Sequence, residues 1–398
     1  MAEMMRIEDP AQMPSTTNGF ALWRLGFRPF YLMASTFAAL SIALWALQFS
    51  GWLAHPYLSG PLWHAHELLF GFALAVVVGF LLTAGRNWSG HDTVTGVPLM
   101  ALATLWLAAR VLVLTPFGWA AAIANTAFPI AAAIALAIPF YAGRNKRNYF
   151  FVGLLLVMSV AVLAIHLVQL NVIDSPGFLG IQVGLDVLLL IMAVMAGRVI
   201  PMFTNNGIAG ANARRVPWLE KVALGSLLVL LVADAAQLRG EALAALLVLC
   251  AVAHLWRLAL WQSWKTLRTP IVWVLHAAYF WIAASLMLRA GFELGWVGAS
   301  AAIHALTVGG IGGLTIGMMT RTARGHTGRP LRADRVDTAC YALIFAAAVV
   351  RVIVPLVAPG ELVHAVLCSA LLWSGGFGLY AVRYWPVLSR PRLDGKPG

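Results

Sequence analysis

The residues that could do chemistry gather in two stretches. The first is Pro61-Leu62-Trp63-His64-Ala65-His66-Glu67-Leu68-Leu69-Phe70-Gly71, which opens a long apolar run with two imidazoles and a carboxylate inside one helical turn. Ionisable side chains at that depth are costly in lipid and mark function by default. Successive helical residues turn by about 100°, so His64 and His66 point about 200° apart and would serve sites on opposite flanks of one helix. Glu67, three residues beyond His64, falls close to the His64 face and is a candidate proton donor. The second stretch, Ile303-His304-Ala305-Leu306-Thr307-Val308-Gly309 and on to Gly317, sets a lone histidine before a glycine-rich surface.

The elements that must position these groups follow from composition. The chain has 398 residues, 61% of them hydrophobic and 11% charged. A soluble fold of this length could not hide so much apolar surface, so the class is an all-α polytopic membrane protein. Residues 1–26 are polar, carry Glu3, Glu8 and Asp9, and lack the apolar run of a cleavable leader. Cys250, Cys340 and Cys368 stand far apart in apolar segments, a spacing that offers no disulfide framework, thiolate zinc site or iron–sulfur motif.

Apolar runs long enough to cross a hydrocarbon core give twelve expected transmembrane helices. They lie near 30–53, 63–85, 96–115, 118–141, 148–171, 178–203, 216–238, 241–264, 270–293, 297–319, 335–357 and 361–384. The expected organisation is an N-terminal segment 1–29, one membrane domain 30–384 and a tail 385–398. Basic residues cluster at the N-terminus, after even-numbered spans and in the tail, among them Arg86, Arg144, Arg147, Arg214, Arg268, Arg329, Arg390 and Lys396. Connections after odd-numbered spans hold almost none, Arg239 being the exception. Cytoplasmic loops carry the Lys/Arg excess, so both termini are expected in the cytoplasm. The same asymmetry accounts for the net charge of +12 without nucleic acid.

Spans 2 and 10 echo each other. Glycines follow His66 at five and thirteen residues (Gly71, Gly79), and follow His304 at the same offsets (Gly309, Gly317). Each span then leads to Gly-His: Gly90-His91 before Thr95-Gly96-Val97-Pro98-Leu99, and Gly325-His326 before Thr327-Gly328-Arg329-Pro330-Leu331. With span 6 as a third, looser member, this would make three four-helix repeats. The run Gly309-Gly310-Ile311-Gly312-Gly313 suits either tight helix packing or a flat cofactor.

His66 and His304 share the outer half of the membrane, and two imidazoles at one depth can hold a haem iron from both sides. Interhelical hydrogen bonding is the alternative for the same pair. His276, near the other end of span 9 among Trp273, Tyr279, Phe280 and Trp281, is a further candidate ligand. His254, His166 and His364 read as hydrogen-bonded core residues, whereas His55, His91 and His326 fall in loops. Arg198 in Gly197-Arg198-Val199-Ile200-Pro201, and His326 with the basic loop that Arg321 opens, could satisfy an anionic group such as a haem propionate. Asp186 and Arg351, at similar depth, form an expected ion pair.

These strings also carry a resemblance. Gly26-Phe27-Arg28-Pro29-Phe30, Trp63-His64-Ala65-His66-Glu67-Leu68-Leu69-Phe70-Gly71-Phe72, Gly197-Arg198-Val199-Ile200-Pro201, Pro270 to His276 and His304 through Leu331 together resemble the NnrS family along nearly the whole chain. That family is described as bacterial inner-membrane proteins containing haem and copper and linked to nitric oxide and denitrification. The resemblance implies a haem protein that relieves nitrosative stress, with b-type haem, two copies of it being one option, and copper as a further candidate. A weaker similarity is to haem–copper oxidases and nitric oxide reductases, which place haem-ligating histidines on the second and tenth of twelve spans. Spans 6 and 7 here contain no histidine. The second metal of that superfamily therefore cannot be built in the same way, which leaves another haem, or copper held by His64, Glu67, His276 or methionines.

Two functions stay open at this point. One is a haem-dependent oxidoreductase that reduces nitric oxide to nitrous oxide, fed by a quinol or a redox protein, with Glu67 supplying protons. The other is a transporter, or a protein that binds nitric oxide or a metal without turnover.

Overall fold

A computed structural model describes residues 19–52, 57–58 and 60–395. His55, Lys396 and the acidic residues of the first eighteen positions lie outside the described residues. Among those described, the chain is helical and without strands, and its long helices number twelve, some continued by short irregular turns. In chain order they are α1 (Phe27–Phe49), α2 (Gly60–Ser89), α3 (Gly96–Leu112), α4 (Gly118–Ala142), α5 (Tyr149–Gln169) and α6 (Leu179–Gly207). There follow α7 (Pro217–Ala235), α8 (Glu241–Leu260), α9 (Pro270–Glu293), α10 (Ala299–His326), α11 (Arg335–Val357) and α12 (Leu362–Ser389).

Twelve apolar runs thus become twelve helices, and ten of these are long and apolar enough to cross a membrane. The other two fall short for different reasons. The 17 residues of α3 rise about 26 Å, less than a hydrocarbon core of roughly 30 Å. In α7 the ionisable residues Glu220, Lys221 and Asp234 interrupt the apolar composition. The helix α4 continues through Pro129 without a break.

Chain neighbours pack as antiparallel pairs, and α1 packs against α12, so the first and last helices lie side by side. The most buried of the ten spans are α2, α6 and α10. These three helices form the interior of the bundle, and α2 and α10 are the two that carry the matching histidine and glycine offsets. Two of them depart from regular α-helix at matching places: α2 is π-helical over Glu67–Ala73, directly after His66, and α10 over Ala305–Gly312, directly after His304. Such wide turns re-aim side chains and leave backbone carbonyls short of partners, which is why they recur at functional sites. The freed carbonyl of Gly71 accepts from Trp106 Nε1 at 2.9 Å.

The glycine run of α10 serves packing. A Cβ at Gly309 would collide with Trp281, one at Gly312 with Trp373, and one at Gly313 with Ala278 and Phe345. Those side chains fill the surface that the glycines vacate.

At the far end of α10, Asp334 caps α11. Its carboxylate accepts from the backbone N–H groups of Val336 at 2.9 Å and Asp337 at 3.0 Å, while Asp337 Oδ2 accepts from Asp334 N at 3.0 Å. Arg324 and Arg383 pair with the same carboxylate. Burial opposes the charge on Asp334, but the Asp337 N–H and the Arg383 guanidinium outweigh it and hold the carboxyl below its ordinary range. A depressed carboxyl contributes stability above its unfolded value and loses it as pH falls. Asp334→Ala should therefore destabilise the neutral-pH protein by about 1 kcal/mol, read as a lowered unfolding midpoint in detergent.

Candidate functional site

At the N-terminal ends of α2 and α10 lies a partly open cavity of about 200 Å³. Trp45, Leu68, Phe72, Ile181, Ile311 and Trp373 supply apolar wall, and the polar groups facing it include His64, His304 and Arg351. Among the described residues no aspartate or glutamate lines it.

His64 and His304 face each other across this space, with ring centroids 6.3 Å apart and planes within 12° of parallel. At that separation the two rings lie at the long end of an offset ring contact. The same spacing is what two imidazoles sharing one metal would need, since two nitrogens about 2 Å from an ion put the centroids roughly 6 Å apart. His304 is set up for that role by its own helix. Its Nδ1 lies 2.7 Å from the carbonyl oxygen of Ser300, which can only accept, so Nδ1 carries the proton and Nε2 keeps its lone pair. His64 is held by Trp45, which stacks on it at 4.9 Å and 14°, and its Nδ1 is buried without a hydrogen-bond partner among the described residues.

Arg351 brings a positive charge to the same cavity. The expected Asp186–Arg351 pair does not form. Asp186 lies 3.7 Å from Arg289, which also binds Asp234, and accepts from Gln182 at 3.0 Å. Shared depth fixes position along a bundle but not around it, and α6 meets α9 there. Among the described residues Arg351 has no carboxylate partner.

The opposite flank of α2 holds a second group of polar residues. His66 Nδ1 is 2.8 Å from Glu67 Oε1, and the same oxygen accepts from Arg110 Nη1 at 2.7 Å. Arg110 also bonds Asn125. Gly71 makes room for it: a Cβ there would come within 2.7 Å of the guanidinium and 2.6 Å of Phe37. Beyond His66 stands His166, ring centroids 5.1 Å apart and nearly perpendicular, with its Nδ1 2.9 Å from Tyr57 Oη.

Several expectations are thereby rearranged. His64 and His66 do lie on opposite flanks, but His304 is partnered by His64 rather than by His66. Half a helical turn decides which of the two faces α10. Glu67 belongs to the His66 flank and is ion-paired, away from the His64 cavity, because the wider π turn that begins with Glu67 shifts its direction from that of a regular helix. His276 is engaged at both nitrogens, Nε2 with Thr204 Oγ1 at 2.8 Å and Nδ1 with Ser263 Oγ at 3.1 Å, so it has no lone pair to spare for a metal. Arg198 donates to Asn148 Oδ1 at 2.7 Å and lies over the rings of Trp88, Phe150 and Phe151. Arg321 sits 3.6 Å from the ring centre of Phe203, and His326 5.6 Å from that of Phe27. None of these four lines the His64–His304 cavity.

The residues that the sequence did not single out are Trp45, Tyr57, Arg110 and, as more than a core histidine, His166. Arg110 had a usable signal, a lone cation within the apolar run Trp106 to Leu114. Its partner Glu67 is 43 positions away, which no local pattern reveals.

Comparison with curated proteins returns no match. A family model described as NnrS protein matches residues 21–392, nearly the whole length. The chain belongs to the NnrS family, as a multi-pass helical membrane protein.

Proposed function

We propose that this protein is a haem-dependent membrane protein acting on nitric oxide, and that His64 and His304 hold the haem iron. The observation that carries the reading is their near-parallel rings at 6.3 Å across an apolar cavity. Bound there, haem would supply an iron that exchanges single electrons, and nitric oxide would bind that iron only where one of the two imidazoles gave way to it.

The remaining work falls to the chain. The Ser300 carbonyl keeps the His304 proton on Nδ1, and Trp45 fixes the plane of His64. Arg351 neutralises an anionic substituent such as a propionate. The largely apolar walls admit a small apolar gas that partitions into lipid. Reduction would join two nitric oxide molecules with two electrons and two protons to give nitrous oxide and water, the electrons coming from a quinol or a redox protein.

One observation favours a second reading. Among the described residues no carboxylate stands in the cavity walls, and Glu67 is committed to Arg110. A site without a proton donor suits binding of nitric oxide, or its storage or sensing, better than turnover. Anaerobic addition of nitric oxide to the protein in the presence of an excess of an artificial electron donor separates the two. Nitrous oxide formed in more than one equivalent supports the reductase, and a stable nitrosyl spectrum with none formed supports the binder.

The protein would sit in a bacterial inner membrane with both termini in the cytoplasm, because the Lys/Arg excess follows even-numbered helices. A C-terminal fluorescent reporter that works only in the cytoplasm should be bright and a phosphatase fusion there inactive. The reverse pattern overturns the orientation.

A further inference from the structure

A second cavity, of about 210 Å³, lies between α6, α9 and α10 at the same end of the bundle as His304. Gln182, Asp186, Arg239, Ser285, Arg289 and Glu293 face it, so unlike its apolar neighbour it is polar and roomy enough to hold water. Asp186 is 3% exposed, and Asp234 of α7, beside it, 0%. One guanidinium spans the two carboxylates: Arg289 Nη1 lies 3.7 Å from Asp186 Oδ1, and its Nη2 bonds Asp234 Oδ1. Gln182 donates to Asp186 Oδ1 at 3.0 Å, and Arg239 lies 3.6 Å from Asp234 Oδ1. Every one of these donors meets an Oδ1 atom. The Oδ2 atoms of both aspartates are buried with no hydrogen-bond partner among the described residues, and the two side chains are within hydrogen-bond reach of each other. Of the other groups around them, Glu293 accepts from the Gly240 N–H at 2.9 Å, and Cys250 of α8 is the remaining titratable neighbour. The helix α10 presents only alanine, isoleucine and leucine to this cavity.

We propose that Asp186 and Asp234 hold one proton between them and exchange it with water in this cavity, forming a proton store beside the His64–His304 cavity. Carboxylates only accept, so two bare ones in contact repel and leave both Oδ2 atoms unsatisfied, whereas one shared proton supplies the missing donor. The charge count agrees. With the proton in place, the buried dyad carries a single negative charge against the one guanidinium, that of Arg289, that reaches both members. The pair then titrates as a unit rather than as two separate acids. Leu185 and Ile303 line both cavities, so the store adjoins the site in whose walls no carboxylate stands among the described residues. In nitric oxide reduction each nitrous oxide formed requires two protons, which pass one at a time from the dyad to the oxygen that leaves as water. Cavity water reloads the dyad after each transfer, and the electrons come from the external donor. This delivery rests on the reductase reading; the shared proton does not.

The test is infrared spectroscopy of the full-length protein in lipid films at neutral pH. Wild-type protein should show the carbonyl stretch of a protonated carboxyl, shifted in D2O, and Asp186→Asn and Asp234→Asn should each lack it. Asparagine keeps the shape and neutrality of a protonated aspartate, so either variant retains the single negative charge of the dyad. No such band in wild type, a band that ignores D2O, or the same band in both variants overturns the proposal. Should the variants fail to fold, wild-type protein carrying carbon-13 in its aspartate carboxyls decides the matter: a band that moves supports the dyad, and one that stays overturns it. Delivery is read separately, as nitrous oxide formed with an excess of an artificial electron donor. Asp186→Asn should form it at least about tenfold more slowly with its Soret band unchanged, and an unchanged rate overturns the delivery. No nitrous oxide from wild type either would be a failure of the reductase reading alone, since the infrared band is read without turnover.

Discussion

Replacing His304 by Ala is expected to abolish the haem signal of the purified protein, reducing its Soret absorbance at least about tenfold at equal protein concentration. The variant removes a ring whose Nδ1 is already fixed by the Ser300 carbonyl, so the remaining nitrogen has no other task in the structure. His64→Ala should behave the same way. His66→Ala should not, because His66 faces Glu67, Arg110 and His166 on the other side of α2. Ser300→Ala should also keep its haem, since the backbone carbonyl at 2.7 Å sets the tautomer more closely than the hydroxyl at 3.2 Å. A pattern in which His66→Ala loses haem and His64→Ala keeps it would reverse the assignment of the two flanks.

The second large effect concerns stability. Arg110→Met strands the Glu67 carboxylate in the interior, and Glu67→Gln strands the Arg110 guanidinium. The pair is 5% and 1% exposed, so neither charge can turn to water. Removing one member of such a pair costs about 3–5 kcal/mol, whereas removing both together costs much less. The double variant Glu67→Gln/Arg110→Met should thus be more stable than either single variant, measured by denaturant or thermal unfolding in one detergent. Simple additivity of the two single effects would show that the ion pair does not carry this flank. Glu67→Gln also speaks to chemistry. If nitric oxide is reduced by the protein, activity that survives in a folded Glu67→Gln variant places proton supply elsewhere.

Much of this architecture is legible in the residues alone. Lengths of apolar runs mark the twelve helices, ten of which are long and apolar enough to cross a membrane. The repeated histidine and glycine offsets mark spans 2 and 10 as a related pair, whereas the π-helical turns after His66 and His304 show only in the structure. Azimuth is what the sequence conceals. Depth can be counted at 1.5 Å per residue, and on that count Asp186 suits Arg351 and His66 suits His304. Which side chains then meet depends on how helices are arranged around the axis, and that is settled by distant contacts such as Gly71 yielding space to Arg110. The π turns add to the difficulty, since they shift Glu67 from where a regular helix would aim it. The sequence alone makes His166 a hydrogen-bonded core histidine, and half of it is: Tyr57 takes one nitrogen and leaves the other.

The central claim is that haem iron is held between His64 and His304. The most direct measurement is the visible spectrum of the purified wild-type protein, oxidised and dithionite-reduced, with haem quantified after extraction. A protein with both imidazoles on one iron should show at least one haem per chain, a sharp Soret band, and the resolved α and β bands of a six-coordinate low-spin haem on reduction. A folded, colourless protein that stays colourless after incubation with haem would contradict the account.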